Sequence, residues 1–320
     1  MNVFISSASR KVALVQSFVD AVAQLPMKGK VYAADVNPLS AALYTKAEPV
    51  ISPKSNDPNY AAWLLEFCKQ NEIRLIIPTR DEELELFAQL SPRFKKEGIL
   101  INISSPETVN TCNDKRKFYD YCNANGFPVP TVYSSQSTIT FPCFIKGRFG
   151  KGARFAFKIE DAAQLNAFSS IAGETIISEF VDWREYTVDY FADFKGTPIS
   201  VVPRLRVSTF GGESFVGCTE SNKTIIEAAI NLGSRLPLFG HNTIQLFYEP
   251  KSQEIKFIEI NPRFGGGAAL GIAAGADTPA YLLQCAANQT VSPRIGDFTD
   301  HLYMLRHTED IFVNEAQLRR

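Results

Sequence analysis

The sequence predicts two sheet types in succession: an α/β unit with a parallel sheet, then an α+β unit built on antiparallel strands. Two observations carry this. Over roughly the first hundred residues, short apolar runs alternate with helix-period segments, the pattern of a parallel sheet with helices on its faces. From about Asn113 onward the strands are instead joined by Gly-containing turns. A chain of 320 residues is long enough for two or three lobes, since one domain takes roughly 100–200 residues.

In the first unit Val3–Ile5 reads as a strand, and Val12, Val15, Val19 and Val22 follow at helical spacing. Val31–Ala34 is a second strand ending at Asp35. A helix is expected around Tyr60–Gln70, a strand at Leu75–Ile77, a helix carrying Leu84, Phe87 and Leu90, and a strand at Ile99–Ile101. In such sheets ligands gather beyond the C-terminal strand ends. Those ends read Ser6-Ser7-Ala8-Ser9-Arg10, Asp35 and Pro78-Thr79-Arg80-Asp81-Glu82. The first turn has no GxGxxG, so no backbone can approach a pyrophosphate there. The topology is Rossmann-like without a dinucleotide site.

Asn113 is placed to cap a helix carrying Lys115, Phe118, Tyr119 and Cys122, which stops at Asn125-Gly126. Strands are then expected at Cys143–Lys146, Arg154–Lys158, Thr175–Glu179, Glu185–Phe191 and Ile199–Val207. A helix at Ile225–Arg235 leads to strands Thr243–Tyr248 and Ile255–Ile260. Leu302–Arg306 and Ile311–Val313 read as a closing hairpin.

Chemistry concentrates in Phe257-Ile258-Glu259-Ile260-Asn261-Pro262-Arg263 and the glycines 265–267. Alternate side chains of a strand share a face, so Glu259 and Asn261 point one way while Ile258 and Ile260 pack behind. If residue 249 pairs with 255, Gln245 falls opposite Glu259 on that same face. Three oxygen-bearing side chains would then converge, which suits Mg²⁺ held by one or two carboxylates plus phosphate oxygens. Pro262 ends the strand and leaves Arg263 to offer its guanidinium to a phosphate or carboxylate. The alternative is an exposed polar strand face beside a turn.

A second segment, Lys146-Gly147-Arg148-Phe149-Gly150-Lys151-Gly152, sets a lysine at a strand end before a Gly-rich turn. That arrangement suits phosphate oxygens, and equally an ordinary hairpin with a solvated lysine; it is not a Walker loop. Lys115, alone in a first helical turn, reads as surface. Ser178-Glu179-Phe180-Val181 offers backbone groups to an adenine edge and Glu185 an acceptor for ribose hydroxyls; two strands and a tight turn read as well.

Taken in order, these pieces resemble the ATP-grasp superfamily, in its carbamoyl-phosphate-synthase-like branch. The resemblance implies a Rossmann-like lobe over 1–110, a small grasp lobe over 111–182 and a large one over 183–320. It implies that Lys115 and Lys146 contact ATP phosphates beneath a loop from Gly147 through Gly150 to Gly152. Glu179, Phe180 and Val181 would hold adenine, Glu185 the ribose, and Gln245, Glu259 and Asn261 one or two Mg²⁺, with Mn²⁺ as a substitute ion. Arg263 would meet the reacting phosphate, and Arg204 and Arg206 the substrate. The implied activity is an ATP- and Mg²⁺-dependent carboxylate–amine ligase for an amino-acid or peptide-like substrate. A nucleotide-binding regulatory or partner subunit is the alternative. The chain has one grasp unit, where a carbamoyl phosphate synthase large chain has two in tandem.

Other classes are disfavoured by composition. With 33 Lys plus Arg against 34 Asp plus Glu, net charge −1, a nucleic-acid surface is not expected. The six cysteines are scattered without zinc spacing, so free buried thiols are expected. The three histidines, at 241, 301 and 307, read as structural or surface residues. No stretch is long and apolar enough for a membrane span, and the N-terminus lacks a signal-peptide pattern. A cytoplasmic protein acting on small molecules is expected, with a homodimer as the assembly left open.

Overall fold

The computed structural model describes residues 1–26, 28–150, 155–171 and 173–318. Strands β1 (Asn2–Ile5), β2 (Val31–Asp35), β3 (Glu48–Ile51), β4 (Ile73–Ile77) and β5 (Leu100–Ile101) form a sheet in the order β3-β2-β1-β4-β5. Every pairing in it is parallel. Because side chains alternate across a strand, Val3 and Ile5 of β1 pack on one face with Val15 and Phe18 of helix α1 (Val12–Gln24). Phe4 packs on the other with Leu64 of α2 (Tyr60–Gln70) and Phe87 of α3 (Asp81–Lys96).

Strand order reverses between β1 and β4, the point where such sheets bind ligands. Here the crevice is closed by the protein's own carboxylate. Buried Glu83 of α3 accepts from the Ser6 and Ser7 hydroxyls at 2.7 and 2.8 Å, and from the Thr79 and Arg80 amides at 2.9 and 3.2 Å. An anion therefore already fills the switch point, in keeping with the missing glycines.

Helices α4 (Pro106–Asn113) and α5 (Lys115–Ala124) connect to a three-stranded antiparallel sheet. It comprises β6 (Cys143–Gly147), β7 (Ala156–Ile159) and β8 (Thr175–Glu179), in the order β7-β6-β8, with α6 (Ala162–Ile171) beside it. Strands β9 (Arg184–Ala192), β10 (Pro198–Phe210) and β11 (Glu213–Thr219) then lead to α7 (Lys223–Arg235). The chain continues through β12 (Gly240–Glu249), β13 (Glu254–Asn261), α8 (Ala268–Ala273), α9 (Thr278–Ala286) and β14 (Tyr303–Leu305). This second sheet runs β13-β12-β9-β10-β11-β14. One face buries Tyr186, Val188, Tyr190, Ile244, Leu246 and Ile260 against α5 and α7; the opposite face is polar and carries the site.

Four expectations need correction. Asn113 ends α4; the cap of α5 is Asp114, whose Oδ1 accepts from the Arg116 and Lys117 amides. The closing hairpin does not form: β14 pairs antiparallel with β11, while Ile311–Val313 lie outside regular structure with Phe312 89 % exposed. The β12–β13 turn pairs residue 249 with 254, one position from the expected register. A shift between Gln245 and Leu246 then restores the pairing of Gln245 with Glu259. This shift leaves Ile258 as the extra residue, so it is only half-buried, while Ile260 enters the core.

Candidate active site

The polar face of the large sheet is assembled by register. Glu259, Gln245, Thr187 and Arg204 stand directly opposite one another on β13, β12, β9 and β10, and Asn261, Thr243 and Asp189 form the next row. Directly paired residues project to the same side, so five backbone pairings place Gln245, Glu259 and Asn261 on one surface. Asn261 Nδ2 donates to Glu259 Oε1 at 3.2 Å.

Two lysines meet this row. Lys115, at the first position of α5, puts its Nζ 3.5 Å from Glu259 Oε2 and donates to the Gly150 carbonyl at 2.8 Å. Lys146, near the end of β6, is buried, with Nζ donating to Tyr119 Oη at 2.7 Å and to the Ile258 carbonyl at 3.4 Å. Burial pulls its ammonium down to about 8, against the upward pull of the Glu259 and Glu185 carboxylates. Glu185 pairs with Arg206 Nε at 2.9 Å, and burial raises its carboxyl despite that partner.

The turn after β6 is stapled to α5. Arg148 forks Asp114 at 2.9 and 2.6 Å and reaches Glu174 at 2.7 Å, and its guanidinium holds the Asp114 carboxyl low. Gly147 and Gly150 lie on this turn; Gly152 lies outside the described residues. Between β8 and β9, Glu179 Oε1 accepts from the Thr131 amide at 2.7 Å and from Lys256 at 2.5 Å. Burial pushes that carboxyl up, but these partners leave it below its ordinary value. The Phe180 ring lies 4.7 Å from Lys158 Nζ and Val181 is half-buried beside it.

Arg263 is directed toward the first sheet: Nε and Nη2 donate to Asp81 at 2.7 and 2.9 Å, Nη1 to the Phe264 carbonyl and Nη2 also to Asn261 Oδ1. Asp81 opens α3 at the C-terminal end of β4, so both sheets contribute to one place. Arg204, expected at the substrate side, lies instead in the core. It is 2 % exposed and forks Asp189 through two 2.8 Å bonds. Its row faces the site, but α8 and the glycine turn cover it: a Cβ at Gly267 would strike its guanidinium, and one at Gly271 would sit 2.6 Å from Asp189. Sequence reasoning missed Asp81, Asp114, Tyr119, Arg148 and Thr187. Tyr119 carried a local signal, four residues from Lys115 on one helix face.

A single carboxylate flanked by amide oxygens on one face, neutralised by an ammonium 3.5 Å away, fits a divalent cation shared with phosphate oxygens. Among the described residues no cluster of three His, Cys, Asp or Glu suggests any other metal site. Comparison with known families decides the class, since residues 112–267 match an ATP-grasp domain. The chain contains an ATP-grasp domain. Residues 3–102 match a PylC-like N-terminal domain. The chain is 24 % identical over 232 residues to the carbamoyl phosphate synthase large chain of Methanobrevibacter smithii, covering 64 % of this chain and 22 % of that one. It thus spans about a fifth of the length of that relative.

Among solved structures, biotin carboxylase from Campylobacter jejuni in complex with an ATP analogue aligns with a TM-score of 0.74 at 17 % identity, over 94 % of this chain and 74 % of that one. The biotin carboxylase domain of Hydrogenobacter thermophilus 2-oxoglutarate carboxylase, with MgADP and bicarbonate, aligns at 0.71 and 12 % identity, over 94 % and 73 %. These likenesses establish the ATP-grasp architecture of both sheets around the site. Among the described residues no helix is long and apolar enough to cross a membrane. All six cysteines are free thiols, five of them buried.

Proposed function

We propose that the chain is an ATP- and Mg²⁺-dependent ligase that activates a carboxylate as an acyl phosphate for attack by an amine. The carboxylate substrate in this reading is an amino acid or peptide-like molecule. The observation that carries the reading is the alternation of Lys115, Glu259 and Lys146 on one face, with Gln245 and Asn261 beside them. In it Lys115 and Lys146 bind phosphate oxygens while the turn carrying Gly147 and Gly150 covers them. Glu179, Phe180 and Val181 hold the adenine and Glu185 the ribose. Gln245, Glu259 and Asn261 would hold Mg²⁺, which when bound neutralises phosphate charge; Mn²⁺ has the same ligand preference.

The substrate carboxylate attacks the γ-phosphorus, the bond to the bridging oxygen breaks, and ADP leaves with that electron pair. The amine then adds to the acyl carbon, and phosphate departs as the nitrogen loses its proton. Neither step needs a protein nucleophile, so positioning and cationic stabilisation account for catalysis. Arg263, held in orientation by Asp81, meets the transferred phosphate, and Arg206 lies on the substrate side. The lobes are read as 1–110, 111–182 and 183–320. The test is ADP release across a panel of acids and amines; Glu259→Ala should abolish it, and undiminished turnover in that variant would refute the reading. The likeness to about a fifth of a carbamoyl phosphate synthase large chain favours a second reading, a nucleotide-binding partner subunit. It would bind ATP yet release ADP only when a partner chain is added.

A further inference from the structure

We propose that Tyr119 is a positioning residue for nucleotide binding, its phenolic oxygen holding the Lys146 ammonium so that one N–H faces the phosphates. This rests on the ATP reading above. Helix α5 starts at the Asp114 cap, so Lys115 and Tyr119, four residues apart, project from the same face. Lys115 reaches Glu259 at 3.5 Å, and Tyr119 reaches Lys146 at 2.7 Å. One helix turn therefore places both lysines.

Donor accounting gives Tyr119 its function. An ammonium has three N–H groups and no acceptor. One of them donates to Tyr119 Oη and a second, at 3.4 Å, to the Ile258 carbonyl. The 2.7 Å bond to Tyr119 Oη fixes the rotation about Cε–Nζ and so where the remaining N–H groups point; without it only the long contact with the Ile258 carbonyl restrains the ammonium. The Tyr119 ring adds a second restraint, its centroid 4.7 Å from Nζ. Burial raises the phenol's own proton affinity, so it stays neutral and offers lone pairs. The charged groups facing Lys146 are Glu259 of β13 and Glu185 of β9, both favouring its protonated form, with Lys115 of α5 paired to Glu259. Against them stands burial, and the phenolic oxygen is a further acceptor that the buried ammonium relies on.

Tyr119→Phe keeps the ring and removes only this acceptor. MgATP binding is measured by calorimetry between about pH 6 and 9, in wild type and variant, after melting temperatures confirm both are folded. Wild-type affinity should fall as pH rises through about 8, as Lys146 loses its proton. Tyr119→Phe should bind about tenfold more weakly at neutral pH, the loss of a charge-assisted bond, and its decline should begin at lower pH. In a Lys146→Met background the same change should have no further effect on affinity, whereas a merely structural role would weaken binding equally in both backgrounds. A folded Tyr119→Phe with wild-type affinity and pH profile overturns the inference while leaving the nucleotide reading intact. Wild type failing to bind MgATP at any pH refutes the nucleotide reading, and the inference falls with it.

Discussion

Replacing Asp189 with Asn decides whether Arg204 is part of the core or part of the substrate site. The pair is buried on both sides, with two 2.8 Å bonds and a third neighbour, His241, whose Nε2 lies 3.6 Å from Asp189 Oδ1 and whose ring stacks on Phe264. Burial opposes the carboxylate charge, but Arg204 and His241 together hold Asp189 well below the usual carboxylate range. Asp189→Asn keeps the shape and strands the guanidinium of Arg204 without a counter-charge, a loss of about 3–5 kcal/mol. At a few degrees per kcal/mol for a chain of this size, the melting temperature should drop by roughly 10 °C. Scanning calorimetry measures it. The double variant Asp189→Leu with Arg204→Met removes both charges together and should recover most of that loss, because a buried pair is about as stable as the apolar contact replacing it. If the double variant is stable and still releases ADP, Arg204 serves the fold alone. A stable but inactive double variant, or an Asp189→Asn protein melting with wild type, would refute the reasoning.

Two further tests address how the site is held. Asp114→Ala removes both the α5 cap and the anchor of Arg148; a stability loss of about 1–2 kcal/mol in urea unfolding is expected from the cap, with weaker MgATP binding. Asp81→Asn weakens the clamp on Arg263; turnover should fall about tenfold with MgATP affinity nearly unchanged, since Arg263 is assigned to the reacting phosphate. An equal loss of affinity and turnover would place Arg263 in ground-state binding instead.

Much of the architecture was legible where periodicity was strong. Tyr60–Gln70 forms the expected helix and Thr175–Glu179 the expected strand to the residue, because apolar spacing there matched burial. β3 was missed because Pro49 interrupts its pattern; the structure tolerates it on an edge strand, where a missing N–H goes unnoticed. β11 was missed because Ser214, Gly217 and Thr219 lack a hydrophobic alternation, being buried under α8 and beside β10 rather than in a simple core. Of the site, Glu259 and Asn261 were legible as alternating residues, and Gln245 as their partner. The roles of Asp81 and Arg148 were not, since their partners Arg263 and Asp114 lie far off in sequence; Asp114 left only the local trace of a helix cap, which sequence reasoning assigned to its neighbour Asn113. Arg204 was assigned to the substrate by resemblance, and its burial beneath α8 against Asp189 was not visible in a linear pattern.

The irregularity at Ile258 changes how the hairpin transmits variation. Between the 250–253 turn and the ligand row, one unpaired residue absorbs a phase difference of one step. The turn's geometry and the alignment of Gln245 with Glu259 are thereby separately adjustable, like a coupling with play in it. Lengthening the turn's outer end can be taken up before it reaches Glu259. Removing Ile258 itself would close the irregularity into a regular ladder, in which Phe257 and Ile260 stay in the core and Glu259 stays opposite Gln245. The position that looks least specific in the Glu-Ile-Asn-Pro-Arg neighbourhood, an ordinary isoleucine, is the slack of the hairpin, and the facing of the ligand row does not depend on it.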